Sequence, residues 1–342
     1  MNGTENNVVN NRASVRMPGE NTNVYAPGGI SDSFNNNQNQ VMGGQAVVQP
    51  VVQPQVQPAE PVQAQGDNYV AQQPQVQSQS VQQIQPQQVQ QASLEAVYAD
   101  GEYPLPVGYV DNLGQLHKTI RLKPMTGKSD EAIAEPKVRE NGGKLVTELI
   151  FGVTEGIGTL NRVSKDVIRN LTVADRDYIL VKNRIYSLGE IAEYQDKCPH
   201  CTGINTIRAN LNDLPVNYLD NNEPRELTFD LINGVRNSKG EICKKITVIM
   251  PTGVVQERIA PIARVNPAQA TTAMLHMVTK SIEGVDFLNP ELFRNMTKKD
   301  RDYIAKKLAE FGAGIKLTIT TVCAECGEEF ESTIPLTALL GE

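Results

Sequence analysis

Four cysteines fall in two Cys-x-x-Cys pairs, Cys198/Cys201 and Cys323/Cys326, and the second pair repeats the first at an offset of 125 residues (198 to 323, 201 to 326). Zinc takes four soft or borderline ligands in a tetrahedron, and one CxxC turn supplies two thiolates to one metal. Two such turns complete the shell. Four thiolates leave no open position for water, whereas a catalytic zinc keeps one, so the pattern points to a structural zinc on Cys198, Cys201, Cys323 and Cys326. The same donor set holds iron, which leaves electron transfer as an alternative chemistry. His200 sits inside the first pair, but its counterpart is Glu325, so it reads as supporting or exposed and not as a ligand. Gly327 directly after Cys326, and Gly203 two residues after Cys201, are expected to let each turn aim backbone amides at sulfur. Cys243 stands apart beside the apolar alternation Ile246, Val248, Met250 and reads as a buried structural thiol. Neither His117 nor His276 has a partner pattern for a base or nucleophile, and no phosphate-binding loop, nucleophile elbow or dinucleotide fingerprint occurs. The expectation is that the chain is not an enzyme.

The elements that must position these turns repeat with them. Asp175-Arg176-Asp177-Tyr178-Ile179 recurs as Asp300-Arg301-Asp302-Tyr303-Ile304, Arg169-Asn170 as Arg294-Asn295, and Val153, Thr154 and Ile157 as Val278, Thr279 and Ile282. Further upstream the offset is 126, with Thr126, Gly127, Glu131 and Ile133 mapping onto Thr252, Gly253, Glu257 and Ile259. Each copy is expected to open with a strand (119–122, 245–250) leading through a Thr-Gly turn to a helix that stops near Pro136 or Pro261. A second helix is expected over 144–157 and 268–282. Thr172 with Asp175, and Thr297 with Asp300, have the spacing of a helix amino-terminal cap. Tyr178, Ile179, Ile185 and Tyr186 in one copy, and Tyr303, Ile304, Leu308 and Phe311 in the other, read as core at helical spacing. The Asp-Arg-Asp triplet reads as a solvated or helix-end charge cluster. Glycines at 189, 312 and 314 end the helices before a strand in which Ile315, Leu317 and Ile319 alternate with polar residues, and the CxxC falls at a hairpin turn. The expected fold is α+β, an internally duplicated domain of strand, helices and CxxC hairpin, closed by one four-cysteine zinc site. The two halves would be pinned at their hairpin tips about a pseudo-twofold axis.

Composition bounds the rest. In the 342-residue chain no charged residue occurs between Ser33 and Ala59 or between Asn68 and Leu94, where Gln, Asn, Val and Pro dominate. Such sequence buries too little apolar surface to offset chain entropy, so residues 1–92 read as a disordered Gln/Pro-rich arm serving as a tether. Residues 93–222 then hold a lead-in segment and the first repeat, and 223–342 the second repeat, sharing one zinc site. A net charge of −7 and no long basic run argue against a phosphate-binding surface. A zinc-ribbon nucleic-acid binder is the alternative, but Glu325, Glu328, Glu329 and Glu331 around the second pair would repel a polyanion. No apolar run is long enough to span a bilayer and no secretory signal pattern appears, so no membrane insertion is expected. Paired cysteines fit metal ligation in a reducing compartment better than a disulfide framework.

The segments Leu105-Pro106-Val107-Gly108-Tyr109 and Arg121-Leu122-Lys123-Pro124-Met125-Thr126-Gly127 resemble the start of tail and baseplate assembly proteins of contractile-tailed bacteriophages. Asp175-Arg176-Asp177, Cys198-Pro199-His200-Cys201, Pro251-Thr252-Gly253 and Cys323-Ala324-Glu325-Cys326-Gly327 follow in the order of the baseplate hub and hub-assembly proteins of T-even-type phages. The resemblance covers about Leu105 to Leu336. It implies a non-catalytic structural or assembly component of the phage tail baseplate, partnered by other tail and hub proteins. It would be made in the host cytoplasm during assembly and located in the virion tail baseplate. The Gln-rich arm and the carboxyl end Leu339-Leu340-Gly341-Glu342 depart from the family pattern, in which many members end in an aromatic-rich tail.

Overall fold

The structure, a computed structural model, describes residues 100–341. The arm expected over residues 1–92 lies outside the described residues. Strand β1 (Glu102–Val110) pairs antiparallel with β2 (Leu116–Leu122), and β2 with β3 (Thr154–Ile157). Strands β7 (Glu226–Arg236), β8 (Ile242–Ile249) and β9 (Thr279–Ile282) form a second three-stranded sheet in the same order. Each first strand shifts register at the same place, between Pro104 and Tyr109 in β1 and between Asp230 and Val235 in β7. Gly108 (φ 86°) and Gly234 (φ 81°) make the two bulges, where a Cβ would lie 2.8 Å from His117 O or 2.6 Å from Cys243 O. The correspondence thus reaches upstream of the strand expected to open each copy.

Between these sheets' second and third strands lie α1 (Gly127–Ala134), α2 (Pro136–Arg139) and α3 (Gly142–Val153) on one side, and α6 (Gly253–Val265) and α7 (Pro267–Val278) on the other. After the third strands come α4 (Lys165–Asn170) with α5 (Val173–Leu188), and α8 (Pro290–Arg294) with α9 (Lys298–Ala309). The expected helices over 144–157 and 268–282 end early, because Thr154–Ile157 and Thr279–Ile282 satisfy their backbone by pairing with β2 and β8. Pro136 does begin a new helix, at its first turn. Pro261 does not stop one: α6 continues to Val265. Proline removes the donor that the carbonyl four residues earlier needs, and here Asn141 Nδ2 donates to that carbonyl, Glu257 O, at 2.8 Å.

The caps form as the spacing predicts. Thr172 Oγ1 accepts from Asp175 N and Thr297 Oγ1 from Asp300 N, both at 3.2 Å. The carboxylates then reach the bulges, where Asp175 Oδ1 accepts from Val107 N (2.8 Å) and Asp300 Oδ1 from Asn233 N (2.9 Å). Each long helix is thereby tied to the bulged first strand of the three-stranded sheet that precedes it. The solvated reading of the triplet is wrong for the first copy, where Asp175, Arg176 and Asp177 are all buried; in the second, Asp300 is buried and Asp302 exposed. Burial is sustained by polar partners: Arg176 donates to Ile168 O, Gly143 O, Thr147 Oγ1 and Gln256 Oε1. Asp177 Oδ1 has no hydrogen-bond partner, and burial pushes that carboxyl up to about 8 against the opposing pull of Arg176. The Arg176 guanidinium is pulled down by burial to about 10, so it keeps its charge at neutral pH.

Two hairpins complete the molecule, β4 (Ile191–Lys197) with β5 (Ile204–Asn210) and β11 (Thr318–Val322) with β12 (Glu329–Thr333). Alternation through Ile315, Leu317 and Ile319 does not give one strand: β10 (Gly314–Ile315) pairs with β6 (Val216–Asn217) and β11 with β12. One core holds Leu145, Ile150 and Ile179 of the first half together with Cys323, Phe330 and Ile334 of the second hairpin, and Leu336 and Leu339 of the closing helix α10 (Leu336–Leu340). A separate core holds Val248, Leu275, Phe293, Ile304 and the buried Cys243, the structural thiol expected from its neighbours. The second hairpin is therefore built into the first half. Among the described residues no helix is long and apolar enough to cross a membrane.

The helical bodies meet where α6 lies on α3. Glu257 accepts from Thr147 Oγ1 (2.7 Å) and Arg169 Nε (3.0 Å), while Val173 N donates to Pro251 O (2.9 Å) and Gly253 N to Leu171 O (3.1 Å). The contact is one-sided: Glu131 and Asp130 of α1, the counterparts of Glu257 and Gln256, are exposed. A pseudo-twofold relation between the bodies would bury both sets, so the expected axis does not extend to them.

Candidate metal centre

The β4–β5 and β11–β12 turns face each other and bring four sulfurs together. The Sγ atoms of Cys198, Cys201, Cys323 and Cys326 all lie within 4.8 Å of one another, with Cys198 to Cys326 at 3.7 Å and Cys201 to Cys323 at 3.6 Å. These separations far exceed a disulfide bond of about 2.0 Å, and all four cysteines are free. Four thiolates around zinc at about 2.3 Å place their sulfurs about 3.8 Å apart, so the spacing fits a tetrahedral metal ion. The group can hold a metal; iron at the same sulfurs fits as well.

The turns aim donors at the sulfurs as expected for a CxxC knuckle. His200 N reaches Cys198 Sγ and Gly203 N reaches Cys201 Sγ, both at 3.4 Å, while the His200 side chain is exposed. In the second turn the backbone amides of Cys326 and Glu325, with the Asn205 amide, hold the Cys323 thiol down to about 6. Cys201 moves the other way, to about 12: the Gly203 amide favours its thiolate, but burial and the three neighbouring sulfurs outweigh it. One thiolate in the cluster thus disfavours the next, and a bound cation removes that conflict by deprotonating all four.

Gly203 delivers its own amide to Cys201 Sγ, as the sequence expectation had it, whereas Gly327 serves by its backbone conformation. The left-handed position after each pair is Thr202 (φ 64°) in the first turn and Gly327 (φ 76°) in the second, which are equivalent residues. Gly203 also leaves room for the Glu325 carboxylate of the opposite turn, which lies where its Cβ would be.

Asn205 was invisible to motif reading. Buried between the turns, its Nδ2 donates to Gly203 O (3.1 Å) and contacts Cys323 Sγ (3.5 Å), while its Oδ1 accepts from Ala324 N (2.8 Å). One side chain therefore fixes both knuckles. Its counterpart in the second copy is the core residue Phe330, so no repeat signal marks it. Further out, Tyr194 Oη lies 3.2 Å from Ser332 Oγ, which donates to Asp196 Oδ2, joining β4 to β12.

No curated protein and no solved structure matches the chain. A family model described as T4 bacteriophage base plate protein matches residues 109–235, a little over a third of the chain. That stretch runs from the end of β1 to the end of β7 and contains Cys198 and Cys201 but not the second pair. Over residues 109–235 the chain thus carries the sequence pattern of the T4-type phage baseplate proteins, the family its motifs resemble.

Proposed function

We propose that the protein is a non-catalytic structural or assembly component of a phage tail baseplate, at or beside its central hub. The family match over residues 109–235 carries this reading. The baseplate family suggests a structural role, a location in the virion tail baseplate and contacts with other baseplate proteins. Hub proteins are the partners we assign, with assembly in the host cytoplasm.

The domain that makes those contacts is, in this reading, an internal duplication: residues 93–222 and 223–342 each contribute one body and one knuckle, and residues 1–92 act as a disordered tether. Repeated strand order, repeated bulges and repeated Thr-Asp caps support it. Zinc on Cys198, Cys201, Cys323 and Cys326 closes the fold. Holding two turns 125 residues apart (198 to 323) resembles a long-loop cross-link, worth about 4–5 kcal/mol of chain entropy in the disulfide limit.

Cryo-electron microscopy of tails from the source phage tests the location. Density for residues 100–341 at the baseplate, with a strong peak between the four sulfurs, is the expected result. Absence from both finished tails and tail-assembly intermediates refutes it. Elemental analysis of the purified chain separates zinc from iron, since an iron–thiolate protein is coloured and a zinc protein is not.

A further inference from the structure

The helix-docking socket that joins the two bodies occurs twice, and among the described residues only one socket is filled. In the first, Arg169 and Thr147 bind Glu257, Arg176 binds Gln256, and Arg169 is also paired with Asp166. In the second, Arg294 stands at the position of Arg169 and pairs with Glu291, the equivalent of Asp166. Arg301 Nη2 donates to Thr272 Oγ1 (2.9 Å) and Ala268 O (3.4 Å), as Arg176 Nη2 donates to Thr147 Oγ1 (3.1 Å) and Gly143 O (3.0 Å). Even the threonine bond recurs: Thr147 Oγ1 to Gly143 O and Thr272 Oγ1 to Ala268 O are both 3.1 Å. Yet Arg294 and Ala268 are exposed, and among the described residues no helix lies on them as α6 lies on α3.

The complementary element is α1. It presents Thr126, Gly127, Asp130 and Glu131 where α6 presents Thr252, Gly253, Gln256 and Glu257. Its inner face, Ser129 and Ile133, is buried in its own body, and its outer face is open. Gly253 is required because a Cβ would run into Arg176 Nη1; Gly127 has no atom of the described residues within 4 Å of its would-be Cβ, so none of them requires glycine there. Two carboxylates on α1 match two arginines of the empty socket, where the filled one has a carboxylate and an amide. Ala268 replaces Gly143, whose Cβ would lie 2.5 Å from Glu257 N, so α1 must seat about an ångström further out than α6. Arginine side chains can span that difference.

We propose that the protein self-associates head to tail, with α1 of one copy seated on the α7–α8–α9 socket of the next through Asp130 and Glu131 against Arg301 and Arg294. Such a contact is heterologous, so copies form a ring if the rotation closes and a filament if it does not. The inference needs the repeated socket but not the baseplate location, and its test is independent of the phage particle.

Sedimentation velocity of the full chain, from micromolar to hundred-micromolar concentration at low and high salt, reads it directly. The mass is expected to climb above one chain with concentration and to fall back as salt screens the partly exposed ion pairs. Gly127→Leu should leave the melting temperature unchanged and abolish association. Glu131→Arg and Arg294→Glu should each weaken it at least tenfold, and the double variant Glu131→Arg/Arg294→Glu should regain most of that loss. A plateau in mass supports a ring and continued growth a filament; either supports the contact. A chain that stays monomeric throughout at low salt, whatever else it binds, overturns the proposal, as does association that Gly127→Leu and Glu131→Arg leave intact.

Discussion

Replacing glycine by alanine within a helix ordinarily stabilises a protein, but Gly143→Ala in α3 should destabilise this one. The added Cβ would lie 2.5 Å from Glu257 N and 2.7 Å from both Gln256 C and Glu257 Cα, all backbone atoms that cannot swing aside. Restoring ordinary contact at 3.4 Å means moving α6 off α3 by about 0.9 Å (3.4 − 2.5). The bonds from Thr147 and Arg169 to Glu257, from Asn141 to Glu257 O and from Arg176 to Gln256, now 2.7 to 3.0 Å, would open to about 3.6 Å or more and cease to count. Overpacking costs about 1–3 kcal/mol. Each lost hydrogen bond adds about 1 kcal/mol when its groups cannot all reach water. Alanine's helix advantage offsets at most about 1 kcal/mol. With all four bonds lost the net is about 4–6 kcal/mol, or roughly 10–20 °C in melting temperature for a folded region of this size. Ala268→Gly, the reverse change at the open equivalent site, is the control and should cost only about 0.5–1 kcal/mol. Thermal and urea unfolding of the full chain measure both. A melting temperature unchanged or raised by Gly143→Ala would falsify the close approach of the two helices.

Three further outcomes follow from single side chains. Asn205→Ala unties the two knuckles and should weaken metal binding roughly 10- to 100-fold, read by competition with a chromogenic chelator; unaltered affinity would remove the bridging role. Asp177→Asn should stabilise the protein at neutral pH by about 1 kcal/mol or more, because the folded carboxyl is raised from 3.8 to about 8 by burial. The protonated wild-type carboxyl is fully tolerated below about 4 and its contribution is lost as pH rises towards 8, so the gap between variant and wild type should widen over that range; a constant gap in urea titrations refutes it. Thr202→Gly should relieve left-handed strain of about 1–2 kcal/mol, offset by about 0.4–1 kcal/mol of added chain entropy, while Gly327→Thr should lose a similar amount; equal melting temperatures for both variants and wild type would show that the position carries no strain.

Periodicity and spacing made much of the fold readable. The Thr-Asp caps, the CxxC turns, the helix-ending Gly189 and the core face of α5 all depend on neighbours within a few residues, so local chemistry specifies them. Reading failed where a distant group substituted for a local one. Pro261 sits inside a helix because Asn141, far away in the chain, takes over the carbonyl it strands. Asp175, Arg176 and Asp177 look like a surface charge cluster until the bulge amides and the carbonyls of α3 and α4 are placed around them. Thr154–Ile157 and Thr279–Ile282 continue a helical pattern but become strands because β2 and β8 offer open edges.

The sequence by itself determined the α+β character and the four sulfurs that meet, because helix and strand periodicities and a CxxC spacing are written along the chain. Only the tertiary structure decided that the second knuckle belongs to the first half's core, that Asn205 ties the two turns and that, among the described residues, α6 fills one socket while the matching one stays open. The segments 126–134 and 252–260 share Thr-Gly, Glu and Ile-Ala at matching positions and so carry similar local instructions; which of them touches, and which is left exposed, is set by the relative placement of the bodies, and no local pattern encodes that.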